Sequence, residues 1–206
     1  MHTLTPPDPV QIHVGHYQRQ ILRTLGMLPA YDAAEDDDER AKLMEIAQRQ
    51  LWATPQWFVD GLCATLGLYI GLDVCAEAHT AKCFRWLGPG SMTPDALVVD
   101  WHEYLDNDDV AFCNPPFRFA QPFVEKILRD RVPTILITPG NVGAEWFGLL
   151  HEAAVEMLPI VGPRLAFEPP PGIKASSPGG GTLVWLPNIP ADPNRPRILR
   201  RDDLRL

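Results

Sequence analysis

The sequence predicts an α/β fold. From Leu51 onward short apolar strands alternate with helical segments, three of those strands end on a polar residue, and Gly/Pro-rich loops punctuate the alternation. A stretch of different, purely helical rhythm precedes this part, and a Pro- and Arg-rich tail follows it. Three segments result: a helical appendage over residues 1–50, the α/β domain over 51–187, and a tail over 188–206.

In chain order, "HYQRQILRTLGML" reads as a first helix that ends before Pro29. A second is expected from about Ala33 to Leu51, with Leu43, Ile46, Ala47 and Leu51 on one face. The acidic run Glu35 to Glu39 falls at its start, where it complements the helix dipole. Thr54 and Pro55 read as an N-cap followed by Pro at the first helical position, with Trp57, Phe58, Leu62 and Leu66 as the buried stripe behind them. Strands are expected at Tyr69 to Val74, Leu97 to Asp100, Val110 to Cys113, Thr134 to Thr138, Val155 to Val161 and Thr182 to Leu186. Helices fill the gaps at about Ala120 to Arg129 and Ala144 to Ala153. The loops "LGPGSMTPD" and "EPPPGIKASSPGGG" interrupt the pattern, and the tail is expected to wrap the surface or be mobile.

Composition narrows the function classes. No apolar run approaches the roughly 20 residues of a membrane span, and "MHTLTPPDPV" has neither the basic start nor the apolar stretch of a signal peptide, so a soluble, cytoplasmic protein is expected. Cys63, Cys75, Cys83 and Cys113 sit singly in apolar surroundings and the six histidines are scattered, so buried free thiols are expected and no metal site. The formal charge of −8 excludes wholesale electrostatic binding of nucleic acid, leaving room for local contacts. Part of that excess lies outside the α/β domain, since residues 31–50 carry seven acids against three bases.

In an open α/β sheet, ligands bind beyond the carboxyl ends of the strands. Three such ends are polar here: Asp73 in "GLDVCAEAH", Asp100 in "LVVDWHEY" and Asn114 in "FCNPPF". The last carries the most chemistry. Two consecutive prolines cannot donate backbone hydrogen bonds and force an extended residue before them, so Asn114 closes a strand and is held stiffly. An exocyclic amine such as N6 of adenine is a weak nucleophile, because its lone pair is delocalised into the ring. Two acceptors on its protons localise that pair and aim it at an electrophile. The Asn114 amide oxygen and the Pro115 carbonyl, fixed by Pro116, are such a pair, and Phe117 offers a flat face for an extruded base.

The segments "WATPQWFVDGL", "GLDVCAEAHTAKC", "DW", "CNPPF" and "PRLAFEPPPG…SSPGGGTLVWL" occur in the order and at the spacing found in phage-type DNA N6-adenine methyltransferases, which this chain resembles from about Leu51 to Leu186. The resemblance implies a Rossmann-like, S-adenosylmethionine-dependent methyltransferase sheet with flanking helices. It also implies double-stranded DNA as partner and a phage or prophage origin. It implies catalytic roles for Asn114, Pro115, Pro116 and Phe117, and cofactor contacts at Thr54, Pro55, Asp73, Cys75, Ala76, Asp100 and Trp101. The cofactor loop has no Gly-x-Gly turn, so close backbone approach falls to Cys75 and Ala76. "TAK" stands at Thr80 to Lys82 where the family often has "NAK", and Phe117 replaces the commoner Tyr. Sequence reading on DNA would come from Arg85 and Trp86, Arg118, the Lys174 loop or the arginine-rich tail. Two other readings stay open: a methyltransferase acting on a protein glutamine or an RNA amino group, and a decayed, non-catalytic relative that serves as a binding module.

Overall fold

The computed structural model describes residues 19–169 and 181–205, apart from 20, 24, 49, 89 and 94. The Lys174 loop and the start of the first expected helix, up to residue 18, lie outside the described residues. Six strands form one mixed sheet in the order β1-β2-β3-β5-β4-β6. They are β1 (Tyr69–Asp73), β2 (Asp109–Cys113), β3 (Thr134–Pro139), β4 (Met157–Val161), β5 (Thr182–Trp185) and β6 (Leu199–Arg200). β1, β2 and β3 are parallel neighbours, whereas β5 slots antiparallel between β3 and β4.

Helices cover both faces. Along β2 and β3 the side chains alternate between two cores: Val110, Phe112, Ile135 and Ile137 join one, Ala111, Cys113 and Leu136 the other. Phe58, Val59 and Leu62 of one helix (Gln56–Leu66) pack on the first face. Phe123, Val124 and Ile127 of a second helix (Ala120–Asp130), with Trp146 and Leu150 of a third (Glu145–Glu152), pack on the other. Burial of both faces explains why these strands read as continuous apolar runs. In chain order we label the helices α1 (Leu28–Ala33), α2 (Asp37–Gln48), α3 (Gln56–Leu66), α4 (Ala120–Asp130) and α5 (Glu145–Glu152). Among the described residues no helix is long and apolar enough to cross a membrane.

Gly71 sets the geometry of the site. The register passes from Ile70 opposite Val110 to Leu72 opposite Ala111, so Gly71 is an extra residue bulged out of β1. A Cβ at Gly71 would lie 2.2 Å from the Asp109 carboxylate, which only glycine avoids. The bulge pairs Asp73 with Phe112 and thereby turns its side chain to the face of the sheet that α3 covers.

Several expectations are corrected. Leu97 to Asp100 is not a strand: the Asp95 carboxylate accepts from Leu97 N at 3.0 Å and the Asp100 carboxylate from His102 N at 3.0 Å, and these two turns bend the segment between them. Val98 is accordingly exposed. The first expected helix is helical at residues 19 and 21–23 and does end before Pro29, which itself sits in the first turn of α1. In α2 the buried residues are Met44 and Ala47, and Ile46 faces solvent. The tail is anchored at Leu199, which pairs with β4, and at Leu204, which joins the α3-side core, while the Arg205 guanidinium lies 4.7 Å from the Trp57 ring centroid.

Candidate active site

A cleft opens beyond the carboxyl ends of β1 and β2. Asp73, Cys75 and Ala76 line it from the β1 end, Phe112 and Asn114 from β2, and Thr54 from the turn before α3. Sequence reasoning missed two further walls. Ile21 and Leu25 reach it from the N-terminal helical layer, where they pack with Met44 and Ala47, so that layer closes the cleft. Gly88 lies against the loop at Ala76, with φ +141° and a Cβ position 2.2 Å from the Ala76 carbonyl oxygen. Glycine at 88 is thus what lets this loop close against the one after β1.

Asp73 is 2% exposed, and its two oxygens accept from Cys75 N at 3.2 Å and Lys82 N at 3.1 Å. Burial is the largest influence on the carboxyl and pushes its pKa up to about 6, against the opposing pull of those two N–H groups and of the Lys82 charge. The Lys82 ammonium is shifted down by its own burial, opposed by Asp73, Glu168 and Asp60.

Three buried polar atoms in this cleft have no hydrogen-bond partner: Thr54 Oγ1, Glu77 Oε1 and Asn114 Oδ1. An orphaned buried group costs about 1–3 kcal/mol, so three in one cleft mark a place built for a ligand rich in donors. Thr54 does not cap α3, whose N-cap is Pro55 with no side-chain capping bond, and the hydroxyl is left for the cleft. Glu77 was not legible, because "AEAHT" reads as a polar loop. Here Thr80 Oγ1 accepts from Glu77 N at 2.9 Å and donates to Glu77 O at 3.2 Å, so the turn carrying this carboxylate is locked.

Asn114 is oriented from the other side. Its Nδ2 donates to the Trp52 carbonyl at 2.9 Å, which turns Oδ1 away as a free acceptor. Gln50 Oε1 accepts from Arg118 N at 3.3 Å, fastening the far end of the Pro-Pro corner to the same approach segment. Pro115 and Pro116 are buried, and Pro116 also lines the cleft. Phe117 turns into a second cavity of about 460 Å³ and meets Phe167 edge-on at 5.8 Å. The four residues therefore stand between two cavities, with an acceptor facing one and an aromatic ring facing the other.

The remaining expected positions lie elsewhere. Asp100 is exposed, caps a 3-10 turn over Trp101–Tyr104 and does not line the cleft. Trp101 is fully buried in the α4-side core, where Nε1 donates to the Ala96 carbonyl at 2.7 Å. Ala96 is itself a lining residue, so Trp101 acts on the cleft through its backbone. Among the described residues no group of three or more His, Cys, Asp or Glu is placed to hold a metal ion.

Cys75 and Cys113 face each other across the β1 and β2 ends with Sγ atoms 3.7 Å apart. Burial drives the Cys75 thiol well above its usual range, and the Cys63 and Cys83 thiols up to about 11. Since the thiolate is the reactive form, the folded protein is expected to consume iodoacetamide at less than about a tenth of the rate of the urea-unfolded chain at pH 8. Equal rates, followed by mass spectrometry, would show that these thiols are not enclosed.

The family described as DNA N-6-adenine-methyltransferase (Dam) matches residues 42–185. The DNA N-6-adenine-methyltransferase of Haemophilus phage HP1 (strain HP1c1) is 25% identical over 126 residues, which span 59% of this chain and 68% of the phage protein. No solved structure matches the chain. The match takes in β1 to β5, the Asp73 and Glu77 loop and the Asn-Pro-Pro-Phe corner, and the chain belongs to the DNA N-6-adenine-methyltransferase (Dam) family.

Proposed function

We propose that this chain transfers a methyl group from S-adenosylmethionine to N6 of an adenine extruded from double-stranded DNA. The observation that carries this reading is the Asn114 amide: Nδ2 tied to Trp52 and Oδ1 unpartnered at the cleft. When bound, S-adenosylmethionine supplies an electrophilic methyl group on a sulfonium centre. The orphaned acceptors fit it, because its ammonium and ribose hydroxyls are donors that Glu77 Oε1 and Thr54 Oγ1 lack. Thr54, Asp73, Cys75 and Ala76 hold the cofactor in this reading, and Glu77 joins them. Asp73 adds a negative charge suited to a cationic ligand. Pro55 and Trp101 hold the frame by starting α3 and fixing Ala96. Asp100 holds the turn that carries Trp101.

At the acceptor side, Asn114 Oδ1 and the Pro115 carbonyl accept hydrogen bonds from the two amino N–H groups and localise the nitrogen lone pair, and one of those protons leaves to solvent after the methyl group has transferred. Pro116 keeps the two oxygens at a fixed separation. Phe117 provides the stacking face, with Phe167 bracing it edge-on. No side chain needs to form a covalent bond to the base.

The test offers the purified protein with methyl-labelled cofactor to duplex DNA, RNA and a protein extract in parallel. Label on N6 of adenine in DNA is the expected result. Label confined to protein or RNA would transfer the reading to an amide or RNA amine, and absence of label in all three would leave a binding module.

A further inference from the structure

Between Lys82 and Gly88, both of which line the cleft, the chain turns outward at Phe84, whose side chain is 98% exposed. The turn itself is firmly held. Lys82 N donates to Asp73 Oδ2 at 3.1 Å, Asp73 N to Arg85 O at 3.0 Å, and Leu87 N to Asp73 O at 2.8 Å. Cys83 Sγ donates to Arg85 O at 3.0 Å, and the Arg85 guanidinium reaches Tyr104 O and the Asp106 carboxylate at 3.0 and 3.1 Å. The backbone on both sides of Phe84 is therefore fastened to the end of β1, while its ring stands in water. Met92 is equally bare, on a neighbouring turn closed by Ser91 Oγ donating to Gly88 O at 2.9 Å. A large apolar ring that is rigidly presented and gains nothing from burial is a feature of a contact surface.

Its chemistry selects the occupant. Extruding a base leaves a gap in the stack, and proteins fill such gaps with apolar side chains inserted between base steps. With a formal charge of −8, and with Arg85 committed to Asp106, this chain draws little on phosphate attraction, so insertion has to supply more of the binding. We infer that Phe84 is a wedge that enters the base stack beside the target adenine and fills the space the extruded base leaves, with Met92 lying along the groove next to it. This rests on the proposed adenine methylation.

The experiment compares wild type, Phe84→Ala and Phe84→Trp on native plasmid DNA and on the same DNA denatured by heat and quenched. Affinity for S-adenosylhomocysteine and sedimentation velocity are measured alongside. Phe84→Ala is expected to lower kcat/KM on native DNA by at least about five-fold, the smaller end of what one lost base–aromatic stack costs. On denatured DNA its loss is expected to stay under about two-fold, because no stack has to be opened. Phe84→Trp is expected to keep wild-type activity, and all three proteins to bind S-adenosylhomocysteine alike. Unchanged activity of Phe84→Ala on native DNA, equal losses on both DNAs, or a wild-type dimer that Phe84→Ala dissociates would each overturn the wedge. If the wild type labels no DNA at all, the methylation reading itself has failed and the wedge goes with it. A DNA-active wild type with an indifferent Phe84→Ala sinks the wedge alone.

Discussion

Asn114→Ala is expected to reduce methyl transfer to DNA by at least about 100-fold while leaving affinity for S-adenosylhomocysteine within about three-fold of wild type. The split follows from geometry. Oδ1 is the acceptor left free at the cleft, and Nδ2 is occupied by Trp52, so truncation removes the group that activates the amine. Truncation also leaves the Trp52 carbonyl without its donor, but the Pro-Pro corner and the Gln50 contact to Arg118 N still hold the backbone. Stability is therefore expected to fall by only about 1–2 kcal/mol, the scale of one lost hydrogen bond with an orphaned partner. Asn114→Asp separates the two functions of the amide. It keeps acceptor oxygens at the cleft but turns one of them against the Trp52 carbonyl, so transfer is expected to fall between wild type and Asn114→Ala. Isothermal titration with S-adenosylhomocysteine and single-turnover labelling give the two numbers. A loss of binding equal to the loss of transfer would place Asn114 in the cofactor seat instead of at the acceptor.

The fold was legible wherever one local pattern sufficed. β2 and β3 are apolar on both faces because both faces are covered, and they stand within a residue of where periodicity places them. Leu97 to Asp100 looks the same in composition and is no strand. Asp95 and Asp100 bracket it with side-chain turns, and the indole of Trp101 closes on Ala96, a competition that hydrophobicity does not register. The tail, expected to wrap the surface or be mobile, does lie against the domain, but its anchors were not legible for the converse reason: its proline and arginine content hides Leu199 and Leu204, whose value depends on β4 and α3 already being in place. At the site, the Asn-Pro-Pro-Phe corner declares itself because consecutive prolines allow few backbone shapes. The direction of Asp73 does not, since it depends on a bulge that only the pairing of Gly71 against Asp109 reveals. Glu77 and Gly88 are likewise local unknowns until two loops are brought together.

Asp73→Asn is expected to weaken affinity for S-adenosylmethionine by at least about ten-fold at pH 8, and to remove a pH dependence from folding stability. In the wild type, burial raises the folded-state pKa to about 6 from an ordinary 3.8. A carboxyl shifted upward binds its proton more tightly when folded, so its contribution to stability is complete below about pH 4 and is lost as the pH rises through 6. At pH 8 the ionised Asp73 costs the free protein about 3 kcal/mol, taking 1.36 kcal/mol per pH unit. Asparagine carries no such cost, although its amide serves only one of the two N–H groups of Cys75 and Lys82 that the carboxylate satisfies. Urea unfolding from pH 4 to 8 is therefore expected to show the variant gaining on the wild type by up to about 3 kcal/mol, with a plateau above pH 7. A constant difference across that range would mean that Asp73 titrates normally and is not enclosed. The two halves of the prediction have one cause. A buried carboxylate kept ionised is unfavourable until a cation meets it, so the group that lowers the stability of the free protein at neutral pH is the one expected to favour the charged cofactor. An Asp73→Asn protein that gains stability with rising pH yet binds S-adenosylmethionine as the wild type does would separate them, and would move the cofactor's positive end elsewhere in the cleft.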